Sequence, residues 1–182
     1  MNHQDNRANP YVSIPIKYGL VGGLLSIILF FVLLALGFNP LINGSFFGFF
    51  FIPIFIFFAL KEFKKHHSED TLHFWQGMTL GFATYLLLAL ISAVFIWVYL
   101  AFFNHELLIS YIESRVTLIQ DSKEGLVEQL GEETYASSIR NIRLANEFDL
   151  ALDDFLRKIL AGFFITTIIS VVMRQNKQSI HQ

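Results

Sequence analysis

The sequence predicts an all-α integral membrane protein with four transmembrane helices and an amphipathic helical section between the third and the fourth. Of its 182 residues, 54% are hydrophobic and only 15% are charged. A soluble domain distributes its charges along the chain, whereas three uncharged stretches here reach the roughly 20 residues that cross a bilayer as a helix. The net charge of -2 argues against nucleic acid as a partner, and the lack of cysteine excludes disulfides, thiolate metal sites and a cysteine nucleophile.

The first three predicted spans are uncharged throughout. They follow a predicted tail, residues 1–17, and cover residues 18–38, 41–60 and 76–103. A turn-forming cluster, Gly37-Phe38-Asn39-Pro40, separates the first two, and the basic run at 61–65 predicts an exposed loop after the second. The first span has the basic start and small-residue site of a signal peptide. Its apolar run exceeds the roughly 7–15 residues of a signal core, so we expect it to be retained.

The fourth predicted span, residues 155–174, is the shortest, with only 159–173 uncharged. Arg157 and Lys158 would then lie near the start of its helix. Long basic side chains at such positions reach the headgroups while their stems remain in lipid, so we expect both to extend toward water.

Residues 104–154 are predicted to form two amphipathic helices outside the membrane, with a break near Gly125 or Gly131. Residues 104–158 contain six basic and eleven acidic residues, so this section is expected to be acidic and solvated. Its apolar face, which needs a surface to cover it, comprises Tyr135, Ile139, Ile142 and Phe148.

Lysine and arginine near the ends of the spans predict the orientation. Seven of them lie in the N-terminal tail, in the loop after the second span and in the C-terminal tail at 174–182, and the first turn has none. Short loops rich in these residues remain in the cytoplasm. Both termini are therefore predicted to be cytoplasmic, with residues 175–182 as a tail and 104–154 on the outer side.

Small residues four positions apart lie near the start of every predicted span. They let helix backbones approach closely, which matters in lipid because no hydrophobic force drives helices together. The third span continues the pattern through Ala89 and Ala93, which makes it the predicted central helix. The glycine pairs of the first and third spans also suggest a pseudo-repeat of two hairpins, unless unrelated helix starts share this pattern. The predicted packing residues are Gly19, Gly23, Gly44, Gly48, Gly77, Gly81, Gly162, Thr166 and Ser170.

Three segments carry a family resemblance: Lys17-Tyr18-Gly19-Leu20, the run ALKEFKK at 59–65, and Phe74-Trp75-Gln76-Gly77 followed by Gly81. With the overall layout, they resemble the domain of unknown function 4199 family over almost the whole chain. The resemblance implies a four-helix protein of the bacterial inner membrane, found mainly in Bacteroidota, and it brings no catalytic or binding residue. His66, His67 and His73 differ from the residues that members of the family usually have in that loop.

The predicted spans contain no ionisable residue within their uncharged stretches. Ion-coupled carriers, proton relays and intramembrane metal sites need such groups at depth, so we expect no catalytic site and no cofactor. The loop offers one cluster with metal-ligand chemistry, since His66, Asp70 and His73 would share a face if the second helix continued. A solvated loop with a helix break near Ser68 is the favoured alternative.

Pro53 lies inside the phenylalanine-rich second span and removes one backbone donor. It predicts a bend, either a static kink or a hinge, and the static kink is favoured.

These observations favour a non-catalytic protein whose partners are the lipid bilayer and either another copy of the chain or a membrane complex. It would act through helix packing and its acidic outer section. One alternative is a small oligomeric carrier or channel for an apolar or lipid-linked molecule. A membrane enzyme would have to place its chemistry in the histidine loop.

Overall fold

The computed structural model describes residues 9–67 and 71–174, with side chains at all of these except 43–48. In this part of the chain, three helices are long and apolar enough to cross a membrane: α1 (Pro10–Ala35), α3 (Phe74–Phe102) and α7 (Glu147–Met173). The predicted all-α class is confirmed, and α7 supplies a membrane-length helix where the sequence showed only a short uncharged stretch. The seven helices found there are α1 (Pro10–Ala35), α2 (Pro40–His67), α3 (Phe74–Phe102), α4 (His105–Asp121), α5 (Lys123–Leu130), α6 (Glu132–Arg143) and α7 (Glu147–Met173).

The long helices extend beyond the apolar stretches from which they were predicted. Asn9 caps α1 by accepting a hydrogen bond from the Tyr11 amide at 3.0 Å, so the helix begins at Pro10, eight residues before the predicted span. Helix α2, which contains Pro53, continues to His67, so the prediction of a loop at 61–65 was wrong. Hydropathy determines which part of a helix can lie in lipid, but it does not determine where the helix ends. Lysine is a good helix former, and its charge is favourable at a helix C-terminus.

The section between α3 and α7 contains three short helices, whereas two were predicted. Ser122 separates α4 from α5, and Gly131, with a φ of 84°, separates α5 from α6. Gly131 is therefore one of the predicted breaks, since its backbone lies in the left-handed region that favours glycine. Gly125 lies inside α5.

Contacts between the long helices establish their directions. Gly19 and Gly23 of α1 approach Leu87 and Ile91 of α3 in the same order, so α1 and α3 run parallel. Both α2 and α7 run opposite to α3, and α3 packs against α1, α2 and α7 as the central helix. The four long helices form one bundle with two ends. One is the Glu62 end, where the N-termini of α1 and α3 meet the C-termini of α2 and α7, and the other is the insertion end, which carries α4–α6.

Candidate functional site

The seam between α3 and α7 is formed by the predicted small residues. Gly77 of α3 faces Ser170, Gly81 faces Thr166, and Gly162 of α7 faces the ring of Tyr85. Each four-residue step along α3 matches a four-residue step backward along α7. A Cβ added at any of these glycines would meet a side-chain atom at less than the 3.0 Å that real contacts respect, so the absence of a side chain sets the distance between the backbones.

The hydroxyl groups along the long helices differ in their hydrogen bonding. Ser26, Thr84 and Thr167 donate to the carbonyl four residues earlier, at 3.0, 2.7 and 2.9 Å, which is the usual behaviour of hydroxyls on membrane helices. Within the described residues, the buried hydroxyls of Thr166 and Ser170 have no hydrogen-bond partner. They lie against Gly81 and Gly77 of α3.

The glycines of α1 have a different environment from those of α3. Gly19 and Gly23 face the side chains of Leu87 and Ile91 on α3, whereas Gly77 and Gly81 face α7. In a repeat of two equivalent hairpins, Gly19 would face α2 as Gly77 faces α7, so the two glycine pairs do not occupy equivalent positions. The side-chain surroundings of Gly44 and Gly48 lie outside the described residues.

An ion pair with a buried ammonium lies where the α3–α7 seam continues toward the insertion end. Lys158 is 4% exposed, and its Nζ lies 2.6 Å from Oδ2 of Asp154 and 2.5 Å from Oγ of Ser92. The Ser92 hydroxyl also donates to Oδ2 of Asp154 at 3.2 Å. Asp154 and Ser92 are thus the charge and hydrogen-bond partners that a buried ammonium needs, because an unpaired charge away from water is strongly unfavourable.

The position of this pair corrects two expectations. Lys158 was expected to extend toward water, yet it turns inward onto α3, and Asp154 was assigned to a solvated section. Ser92 lies ten residues before the end of α3, about 15 Å along that helix. Arg157 shows the expected behaviour: its side chain is 41% exposed and pairs with Asp153, which is 49% exposed. Adjacent residues on α7 therefore have opposite surroundings.

A small cavity of about 50 Å³, lined by both polar and apolar side chains, lies next to the ion pair. A buried water needs roughly 10–15 Å³ of such space, so the cavity has room for about three to five waters. Helices α1, α3, α4 and α7 all contribute polar groups to it. Its polar lining comprises Ser26, Ser92, Tyr111, Asp153, Asp154, Arg157 and Lys158.

The three sequence segments that carry the family resemblance meet at the Glu62 end. Oε2 of Glu62 accepts hydrogen bonds from Lys17 and from the Tyr18 hydroxyl, both at 2.6 Å. The Gln76 side chain donates to the Tyr11 hydroxyl at 3.1 Å. Glu62 lies beyond the apolar stretch 41–60, and the hydrogen bonds from Lys17 and Tyr18 hold its pKa below the ordinary value. These contacts tie α1 to the ends of α2 and α3.

The proposed histidine cluster is divided between two helices. His66 lies in the last turn of α2, and His73 precedes α3, where its backbone amide donates to Oε1 of Gln76 at 2.9 Å. The single helix needed to place them on one face is not present, because α2 ends at His67. Asp70 lies outside the described residues, and the described residues include no group of three metal-ligating side chains.

An open groove of about 410 Å³ lies between α4, α6 and α7, and we call it the outer groove. Ile142 is half-buried on its wall, whereas Leu118 on the opposite wall is 54% exposed. Tyr135 from the predicted apolar face is buried, but Phe148 belongs to α7 and is 57% exposed. The expected covering of that face is therefore incomplete. The apolar lining of the groove comprises Leu118, Ile119, Ile142, Ala145 and Leu150.

A family model described as a protein of unknown function, DUF4199, matches residues 17–175. No curated protein and no solved structure matches the chain. The matched range includes Lys17, Tyr18 and Glu62, the α3–α7 seam, the buried ion pair and the outer groove.

Proposed function

The chain belongs to the DUF4199 family, whose description assigns no function, and we propose that it is a non-catalytic accessory protein of a bacterial inner membrane. In this proposal it holds a partner protein through its outer helical section. The outer groove carries the proposal, because a solvated section with an incompletely covered apolar groove is suited to receive an apolar segment.

The proposal requires four spans. Helix α2 supports a fourth span because its uncharged stretch 41–60 is about 30 Å long as a helix, and it packs against α1, α3 and α7. The basic residues near the ends of α2 and α7 favour a cytoplasmic Glu62 end. The insertion end, with its acidic section, would then lie on the outer side.

Single cysteines test this topology directly, because the chain has none. We expect Ser68→Cys and Ser138→Cys to react with a membrane-impermeant thiol reagent from opposite sides of the membrane. Labelling of sealed inside-out and right-side-out vesicles measures this. Labelling of both positions from the same side would contradict a span between them.

The outer groove is suited to a protein partner in both shape and charge. Helices α5 and α6 contact α4 and each other more than the long helices, so the section projects from the bundle. The charged lining of the groove itself is balanced, with Arg115 and Arg157 against Asp149 and Asp153. Residues 104–158 as a whole have a net charge of -5, so an amphipathic segment whose basic flanks extend beyond the groove is the best complement. The membrane surface is less suitable, because anionic headgroups repel an acidic section.

We expect Leu118→Asp to abolish recovery of the partner in mild detergent, because a carboxylate in the groove would have to be desolvated on binding. The exposed position predicts a change of less than about 0.5 kcal/mol in stability. Leu130→Asp is the matched control, since Leu130 is 53% exposed but does not line the groove. The mass and composition of the purified complex are the measurement.

Equal recovery of the complex with both variants, or a monomer for the unmodified chain, would contradict the proposal. A complex containing only this chain, lost with Leu118→Asp, would identify the partner as a second copy.

A carrier for a lipid-linked molecule is a second candidate, favoured by the groups that flank the outer part of α7. The buried ion pair and its polar cavity lie on one side, and an apolar groove of about 250 Å³ lies between α3 and α7 on another. Together they could receive a polar head and an apolar chain. The tightly packed seam from Tyr85 to Gly77 offers no path to the Glu62 end, which counts against this candidate. Movement of a labelled lipid by the purified protein in vesicles would support it. The apolar groove comprises Leu90, Ala93, Val94, Trp97, Phe148, Ala151, Leu152 and Phe155.

A further inference from the structure

One exposed face of α2 changes from apolar to basic close to the end of the apolar stretch. Phe57 and Phe58 are 42% and 45% exposed, and Ile54 on the same face is 45% exposed. Lys61 and Lys65 follow at helical spacing and are also exposed. Residues three and four apart share a helix face, so the lysines continue the row of apolar side chains toward the C-terminus of α2.

The lysines of this face carry charge that no neighbouring acid neutralises in the described part of the chain. Glu62 is next to Lys61 in sequence, but its carboxylate is bound to Lys17 and Tyr18 on α1. The Lys61 Nζ lies 6.0 Å from the centre of the Phe57 ring, which places its charge at the top of the apolar strip. No ion pair among the described residues involves Lys61 or Lys65.

The neighbouring aromatic residues indicate that this level is an interface between lipid and water. Trp75 is 59% exposed and stacks on Tyr11, with 6.1 Å between ring centres. Tryptophan and tyrosine concentrate at the headgroup level of membrane proteins, where an apolar ring and a polar edge are both satisfied. The Tyr11 ring also lies 5.0 Å from the ring of Phe63 on α2, so we expect Lys61 and Lys65 to lie at about the height of the phosphate groups.

From this geometry we propose that this face of α2 is a binding site for an anionic phospholipid. The phosphate and acidic headgroup bind between Lys61 and Lys65, and the acyl chain lies along Ile54, Phe57 and Phe58. Two positive charges favour an anionic over a zwitterionic headgroup. The apolar strip favours a lipid over a free phosphate, since only a lipid buries it.

Retention of phosphatidylglycerol by the purified full-length protein, measured by native mass spectrometry, tests the site. We expect the unmodified chain to retain this lipid in preference to phosphatidylcholine, and Lys61→Gln with Lys65→Gln to lower its affinity about tenfold or more, because each lysine near an anionic surface adds substantially to binding. Both lysines are exposed, so the variant should fold. Lys123→Gln with Arg140→Gln is the matched control, because it removes the same charge from the outer section.

Equal retention of phosphatidylglycerol by both double variants would overturn the site, as would equal retention of phosphatidylcholine by the unmodified chain. Soluble glycerol phosphate distinguishes the two sources of the headgroup chemistry. We expect it to leave the thermal stability unchanged at millimolar concentration. Stabilisation by glycerol phosphate that is lost in the lysine variant would show a site for free phosphate esters and overturn the lipid assignment.

Discussion

Replacing either partner of the buried ion pair is expected to destabilise the protein strongly. Lys158→Met leaves the Asp154 carboxylate, whose side chain is 12% exposed, with only the Ser92 hydroxyl as a partner, and Asp154→Asn leaves the buried Lys158 ammonium without a counter-charge. Removing one member of such a pair costs about 3–5 kcal/mol, because the remaining charge stays away from water. For a chain of this length, the apparent melting temperature in detergent should fall by about 10 °C.

Two controls make this prediction specific to the buried pair. Asp153 and Arg157 have the same spacing on α7, one residue earlier in the helix, but are 49% and 41% exposed. Arg157→Met should therefore change stability by less than about 1 kcal/mol. The double change Asp154→Leu with Lys158→Met should recover most of the loss, since apolar residues often replace a buried pair without cost. Equal melting temperatures for Lys158→Met and Arg157→Met would mean that Lys158 reaches water after all.

The sequence predicted the long apolar helices well because bilayer thickness imposes a minimum length on them. It was less successful at their ends. Helix α7 begins at Glu147, where Asn146 accepts hydrogen bonds from Phe148 and Asp149, and Asp149 accepts one from Asn146. This capping box uses Asn and Asp in place of the usual Ser or Thr and Glu. Asn146 and Asp149 thus mark a helix start that hydropathy does not reveal.

The ion pair escaped prediction because Asp154 was assigned to the solvated section and Lys158 was expected to extend toward water. Arg157 and Lys158 were treated alike, although adjacent residues on a helix point about 100° apart. The small residues Ser170, Thr166 and Gly162 lie four apart on α7, and continuing that stripe reaches Lys158 and Asp154. Following the packing face beyond the apolar stretch would have placed both residues against α3.

The sequence contains no comparable signal for contacts between distant segments of the chain. Glu62 meets Lys17 and Tyr18 across 45 and 44 residues, and helical periodicity contains no information about which faces of different helices meet. The resemblance at these segments indicated a shared family without indicating that they are in contact. The outer groove likewise depends on the relative placement of α4, α6 and α7, which amphipathicity alone does not determine.

Gly81→Leu and Gly162→Leu should destabilise the bundle much more than Phe57→Leu. A side chain at Gly81 would collide with Thr166, and one at Gly162 would collide with the Tyr85 ring. Tyr85 is 1% exposed and Thr166 is fully buried, so neither can move aside without opening the seam. Overpacking of this kind costs about 1–3 kcal/mol, and more where two backbones must separate.

Phe57 is the appropriate reference for this comparison because it is 42% exposed on α2, and its replacement by leucine adds no volume. Its change should cost less than about 1.5 kcal/mol. Thermal unfolding in one detergent measures all three variants.

An alanine series separates collision from a loss of glycine flexibility: Gly81→Ala should already lower the melting temperature, because its Cβ alone meets Thr166. Gly125→Ala in α5 should instead raise the melting temperature slightly, since a Cβ there meets nothing within 4 Å and alanine is the better helix former. Similar melting temperatures for Gly81→Leu, Gly162→Leu and Phe57→Leu would show that α3 and α7 do not depend on close approach at these glycines.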